Sequence, residues 1–212
     1  MGAVVRRTRI IALTLTLLLV GTYRALGQEH TGFENECDSL QNAILPDLVQ
    51  YLNGVVPDEK NGDCVTWAIK KLGNGQYEPA IPVLTKLLDF RRPPTPREKQ
   101  GIYLRMQGVW EIYPAVGALC NIGKKTSPPV LDVIKSESAS LTSRENAVFV
   151  WMEIHRYSDE HSKAVTLLKQ EEINAKDGAT KQRLRWAIQK AVAWCNPPEE
   201  TACREAARAS AP

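Results

Sequence analysis

The chain has 212 residues, enough for one domain or two small ones, and carries a formal net charge of +3 with 43% hydrophobic residues. Four of its basic residues, Arg6, Arg7, Arg9 and Arg24, and none of its acidic ones precede Gln28, which leaves 23 basic against 24 acidic residues, a net −1, from there onward. That balance gives no net basic surface and excludes a charge-driven fit to nucleic acid or to an anionic membrane.

In chain order, Arg6, Arg7 and Arg9 precede an apolar run from Ile10 to Val20, and Ala25 and Gly27 supply small residues three and one before a cut. This pattern predicts a signal peptide over 1–27 and an exported chain, periplasmic or secreted. The run of 11 residues is short of the roughly 20 that span a bilayer. No stable membrane insertion is expected after the signal is removed, with anchoring by an uncleaved N-terminal segment as the alternative. Residues 28–36 predict a flexible mature N-terminus, followed by a helical domain over 37–212.

Two interleaved series of helices then follow. The first repeats an i, i+3, i+4, i+7 apolar pattern: Val65, Ala68, Ile69 and Leu72; Ala115, Ala118, Leu119 and Ile122; Ala147, Val150, Trp151 and Ile154; Leu184, Ala187, Ile188 and Ala191. The second opens on or near proline in LPDLVQYL (45–52), IPVLTKLL (81–88) and PPVLDVIK (128–135), and continues without proline in KAVTLLKQ (163–170). Pro46, Pro79, Pro82 and Pro129 are expected at helix entries and first turns, where amide hydrogens have no acceptor within the helix and a fixed φ is already helical.

Equivalent positions recur at 36 residues (Pro46 to Pro82), 34 (Pro129 to Lys163), 32 (Ala115 to Ala147) and 37 (Ala147 to Leu184). Periods of about 20 to 50 residues mark stacked repeats. Two intervals stretch to 50 and 47 residues, and both cross the segment 90–113, which reads as an insertion. IYLRMQGVW inside it is the single strand-like stretch. Gly73, Gly75 and Gly123 predict helix C-termini. Thr142 to Glu145 (TSRE) predicts a capping box, Ser158 and Asp159 a cap for 163–170, and Asn196 before Pro197 the start of a last short helix.

CVTWAIKKLGNGQYEPAIPVLTKLLD and YPAVGALCNIGKKTSPPVLDVIKS resemble the HEAT repeat, in the short form of phycobilisome-lyase-like proteins. The likeness spans roughly Cys37 to Trp194 and implies an all-α superhelix of antiparallel helix pairs, an α-solenoid, with a concave surface lined by the second helix series. Some relatives act as bilin lyases. That would imply a tetrapyrrole ligand and access to phycobiliproteins, for which an exported chain is in the wrong compartment. Trp67, Trp151, Trp186 and Trp194 fall in or at the end of first-series helices and are expected to fill space between pairs.

Five cysteines in an exported chain suggest disulfides. Cys195 with Cys203 is the first expected pair, clamping the end of the repeat. Cys37 with Cys64 is the second. Spacing alone leaves other connectivities open, and Cys120 is left over as a small buried hydrophobe.

Chemistry-bearing patterns are sparse. His155, His161 and Glu153 are the best metal candidate, yet six residues between two histidines do not place them on one helical face, and His30 is remote in sequence. A nucleophile pair of Cys120 and His155 would need spatial adjacency that no motif implies. Asp58 and Glu59, Glu171 and Glu172, and Glu199 and Glu200 read as solvated surface. No phosphate-binding loop, dinucleotide fingerprint or nucleophile elbow is present, and no cofactor is implied. The insertion differs: FRRPPTPREKQ sets Arg91, Arg92, Arg97 and Lys99 among prolines, with Thr95 to Glu98 as a helix start. These cations are the expected partner-binding loop, for an acidic protein segment. The function expected is a non-catalytic protein or peptide scaffold, with a lyase-like or other small-ligand enzyme and a structural envelope-assembly factor as alternatives.

Overall fold

A computed structural model describes residues 37–102, 108–156, 161–195 and 200–208. The chain divides into two units, Met1–Asn42 and Ala43–Pro212. In the first, the described part is one short helix, α1 (Asp38–Gln41), in which Gln41 Nε2 donates to Asp38 Oδ1 at 2.9 Å.

The second unit is helical wherever it has regular structure among the described residues. Its elements are α2 (Leu45–Gly54), α3 (Gly62–Asn74), a 3-10 turn (Glu78–Ala80), α4 (Ile81–Lys86), α5 (Pro96–Lys99), α6 (Val109–Ile112) and α7 (Pro114–Ile122). After a second 3-10 turn (Gly123–Thr126) come α8 (Ser127–Lys135), α9 (Leu141–His155), α10 (Ser162–Asn174), α11 (Gly178–Ala193) and α12 (Glu200–Arg208). No strand forms among the described residues. Of IYLRMQGVW, Val109 and Trp110 lie in helix α6 and residues 103–107 are outside the described part.

The prolines sit where their chemistry predicts. Pro46 and Pro82 fall in the first turns of α2 and α4, Pro129 with Pro128 in that of α8, and Pro79 in the 3-10 turn that precedes α4. Each occupies a position whose amide would have had no intrahelical acceptor.

The first-series helices touch in order, α3 on α7, α7 on α9, and α9 on α11, while α2, α4 and α8 also touch in order. Lys135 Nζ of α8 reaches Glu171 Oε2 of α10 at 2.6 Å, continuing the second series. The closest hairpins form between a second-series helix and the first-series helix that follows it: α2 with α3, α8 with α9, α10 with α11. Between these layers Leu48, Ile69, Leu72, Leu84, Leu119, Ile134, Leu168 and Leu184 are fully buried. Each such side chain contributes about 1.5–3 kcal/mol relative to exposure.

Helix ends depart from the sequence in informative ways. Gly73 lies inside α3, not beyond it, and a Cβ there would come within 2.5 Å of Ala118 Cα. This glycine lets α3 and α7 approach backbone to backbone. The turn after α3 takes its positive φ at Gln76 (48°), whereas Gly75 stays right-handed; Gly123 has φ 81° as expected of a helix terminator. The cap of α9 is Ser140, whose Oγ accepts from the Ser143 amide at 3.0 Å, rather than Thr142. His161 precedes α10 without a side-chain cap, and Ser158, Asp159 and Asn196 lie outside the described residues.

Asn146 is buried, and its Nδ2 donates to the Leu88 carbonyl at 2.6 Å, pinning the chain just past α4 to α9. Of the tryptophans, Trp151 is buried as expected and its Nε1 donates to the Ala164 carbonyl at 3.1 Å. Trp67 and Trp186 are half-buried beneath cations, Lys71 over the first and Arg144 and Lys190 over the second. Trp194 is 37% exposed and meets Phe149 of α9 edge-on, so it fills space between pairs only in part.

Candidate partner-binding cleft

The insertion is closed at its base by one arginine. The Arg92 amide donates to the Ile112 carbonyl at 3.0 Å, and its Nε donates to the Glu111 carbonyl at 2.7 Å, so both ends of the excursion are tied together. Its remaining guanidinium donors turn inward. Nη1 donates to the Pro93 carbonyl and to Glu98 Oε2, both at 2.8 Å, and Nη2 to Glu98 Oε1 at 2.7 Å. A two-pronged Arg–carboxylate pair is directional as well as strong, because the planar donors match the two oxygens.

Glu98 has a second task. Its Oε2 accepts from the Thr95 amide at 2.5 Å while Thr95 Oγ1 accepts from the Glu98 amide at 3.3 Å, forming the capping box of α5 that TPRE predicts. The Arg92 hydrogen bonds, with the Thr95 amide, hold the Glu98 carboxyl at a pKa of about 2. The same Glu98 hydrogen bond raises the Arg92 pKa above its usual value, against the opposing effect of burial. Arg92 therefore builds the loop, its guanidinium committed to Glu98 and to backbone carbonyls, and it also lines the cleft beside Arg91.

The rest of the basic loop remains open. Arg91, Arg97 and Lys99 are exposed. Arg91 and Lys99 line an open cleft of about 730 Å³, and Arg97 lies outside its lining. Phe90, Pro93 and Ile112 supply apolar wall, and Asp58 and Glu59 bring acidic groups to the same cleft. Pro93 lies against Gly62 at the start of α3, where a Cβ would come 2.6 Å from its Cγ. Sequence reasoning passed over Gly62, although a glycine opening a helix is a signal of close approach.

Asp58 and Glu59 are solvent-exposed as expected, and Asp58 Oδ1 accepts from the amides of Lys60 and Asn61 at 2.9 Å each. The cleft is thus of mixed charge and its walls include three prolines and an aromatic ring. Such a lining can take an extended segment that alternates apolar contacts with charged ones.

The other sequence candidates that are described take separate partners. His155 Nδ1 lies 3.0 Å from the Trp151 carbonyl and its Nε2 lies 3.1 Å from Ser127 Oγ. Burial lowers its pKa, with the Trp151 carbonyl opposing and Lys124 reinforcing the shift. The ring is accordingly neutral at pH 7 and lies between the Trp151 carbonyl and Ser127 Oγ, whose own proton goes to the Lys124 carbonyl at 2.8 Å. His161 Nε2 instead lies 3.9 Å from Glu153 Oε1. Among the described residues no three His, Cys, Asp or Glu side chains group as metal ligands; His30 lies outside those residues.

Cys120 is a free thiol that burial, with the Glu153 charge, pushes up to about 12. At neutral pH it is protonated and a poor nucleophile. Glu172, expected on the surface, is 5% exposed; Lys169 Nζ donates to its Oε2 at 2.5 Å and Arg185 Nε to its Oε1 at 2.7 Å. Glu171 is half-exposed against Lys135, Glu200 pairs with Arg204, and Glu199 lies outside the described residues.

Cys195 and Cys203 form the expected disulfide, with Cα atoms 6.6 Å apart. Cys37 and Cys64, the second expected pair, are both disulfide-bonded. No described helix is long and apolar enough to cross a membrane. No protein-family model, curated protein or solved structure matches the chain, so the functional reading rests on its own residues.

Proposed function

We propose that this chain is an exported, non-catalytic module of HEAT-like helix pairs, stacked as a short solenoid, that binds a protein or peptide segment. The sequential contacts within each helix series support the stacking. The Arg-rich, apolar N-terminal sequence and the disulfide of Cys195 with Cys203 support an oxidising destination. The observation that carries the binding reading is the open cleft along the insertion, whose frame Arg92 and Glu98 lock while Arg91 and Lys99 stay exposed.

A frame ordered before binding loses little conformational entropy when a partner docks. The ligand that suits the cleft is an extended segment with apolar side chains for Phe90 and the prolines. Acidic side chains on that segment would meet Arg91 and Lys99.

Photocrosslinkers placed at Glu59 and Pro94, exposed positions in the cleft lining, should trap one defined protein in cells of the source organism. The same group at Lys176, on the connection between α10 and α11, should not. Arg91→Glu with Lys99→Glu should reduce the yield by roughly tenfold, because rim charges govern encounter and selectivity. The reading fails if crosslinking from the cleft gives no defined protein, or gives the same products as Lys176.

A further inference from the structure

A second concave site shares no lining residue with the insertion cleft, and its chemistry differs. Trp110 in α6 is 51% exposed, yet its ring is held in one place. A Cβ added at Gly108 would sit 2.8 Å from Trp110 Cε2 and 3.0 Å from Cζ2, so the indole lies directly on backbone. The Phe149 ring meets it with centroids 5.9 Å apart. A large aromatic surface immobilised but left facing water is a preformed platform, because docking on it freezes no further side-chain rotation.

The indole forms one wall of an open cleft of about 450 Å³. Gly117 of α7 also lines it, and a Cβ there would lie 3.2 Å from Trp110 Cβ, so the missing side chain keeps the floor open. Lys70 and Asn74 from α3, Asn121 from α7 and Glu153 from α9 complete the polar rim. Lys70 and Glu153 bring opposite charges to the rim, Glu153 lying 3.8 Å from Arg156 Nη1 and 3.9 Å from His161 Nε2 behind it, and each Asn amide offers both donors and an acceptor.

This combination selects among ligands. An anion would meet Glu153, a cation Lys70. A purely apolar group would strip water from four polar side chains without replacing their hydrogen bonds. A neutral ring with C–H faces and hydroxyls around its edge satisfies the aromatic wall and the polar rim together. We infer that the Trp110 cleft is a binding site for neutral carbohydrate, with a sugar face stacked on the indole and its hydroxyls bonded to Asn74, Asn121, Lys70 and Glu153.

The aromatic surface continues beyond one ring. Phe149 meets Trp194 edge-on with centroids 5.6 Å apart, and Trp194 is 37% exposed. An oligosaccharide therefore gains contacts that a monosaccharide does not.

The full chain, expressed with its own N-terminal segment, is titrated with neutral β-linked hexose and N-acetylhexosamine oligomers while tryptophan emission is followed. A saturable change is expected for at least one series, tighter for the trimer than for the monomer. Trp110→Ala should weaken it by roughly tenfold, the scale of a lost aromatic contact. Gly117→Leu, which fills the floor while favouring helix, should do the same in a chain whose circular dichroism is unchanged, and Trp67→Phe should bind normally. No saturable response to any neutral oligomer, or a response that survives both cleft substitutions, overturns the inference. So does a response confined to sulfated or uronic-acid oligomers. A Trp110-dependent dimer in sedimentation, with no sugar response, would assign the platform to a second copy of the chain instead.

Discussion

The α3/α7 and α10/α11 pairs close by opposite means. Between α3 and α7 the contact is dry and made by subtraction: Gly73 and Ala118 let the backbones meet, with Val65, Ala68, Ile69, Leu72 and Leu119 buried around them. Between α10 and α11 a buried carboxylate, Glu172 of α10, is shared by Lys169 of its own helix and Arg185 of α11. Both pairs carry the same apolar periodicity. Periodicity tells which face turns inward, whereas the separation of the axes depends on the size and charge of a few residues on that face.

The largest expected effect breaks the dry pair. Gly73→Val places side-chain carbons where Ala118 backbone already stands. Overpacking that only backbone movement can relieve should cost roughly 3 kcal/mol, read as a lower urea midpoint with little change in slope. If Gly73→Val were as stable as the parent, the close approach of α3 and α7 would be wrong.

Next in size is the covalent support of the charged pair. Helix α12 packs on α10 and α11 and is held by Cys195–Cys203, whose closed loop spans a sequence separation of 8. Cys195→Ser with Cys203→Ser should cost about 2.5 kcal/mol by loop entropy. Amide exchange should accelerate first in 200–208 and then in α10 and α11, with α3 and α7 the least affected. Uniform acceleration across the chain would remove the distinction between the two pairs.

Glu172→Ala should cost less, about 1–2 kcal/mol, because the carboxylate is buried but Arg185 reaches solvent. Glu172→Gln should recover part of the loss by keeping the shape and one acceptor. A thermal scan of both variants against Gly73→Val ranks the two closures directly.

The smallest effect is the response to acid. Burial raises the Glu172 pKa, but the Lys169 and Arg185 hydrogen bonds outweigh it and the folded value is lowered. Glu98 is lowered to about 2. A carboxyl whose folded pKa is depressed stabilises the fold above its unfolded pKa, and that contribution is lost as pH falls through the folded one. His155, lowered chiefly by burial, has the same sign and begins to withdraw stability below about 6.5. Urea titrations from pH 7 to pH 3 should therefore show a shallow loss first, then a steeper one below about 4.5. Glu172→Gln should flatten the second part, and Val56→Thr, at an exposed uncharged position, should leave it unchanged.

Much of this was legible in the residues. The all-helical class, the helix series, the proline entries, the capping box at Thr95–Glu98 and the Cys195–Cys203 bridge all depend on near neighbours. The misread positions are those whose role depends on a distant partner. Gly73 reads as a terminator until Ala118 is placed against it, and Glu172 as solvated until Arg185 arrives from the next helix. Arg92 reads as a free cation until Glu98 and the carbonyl of Glu111 surround it. Trp110 fell inside a strand-like stretch, and only its seat on Gly108 and its exposed face mark it as a platform.

Local chemistry by itself determined where helices begin and which faces are apolar, because capping, proline geometry and side-chain period act within one or two turns. The tertiary structure decided which charges are consumed and which remain available, which glycines mark contacts, and which aromatic rings stay open. Those outcomes follow from desolvation and from distances between groups far apart in the chain, neither of which residue spacing can encode.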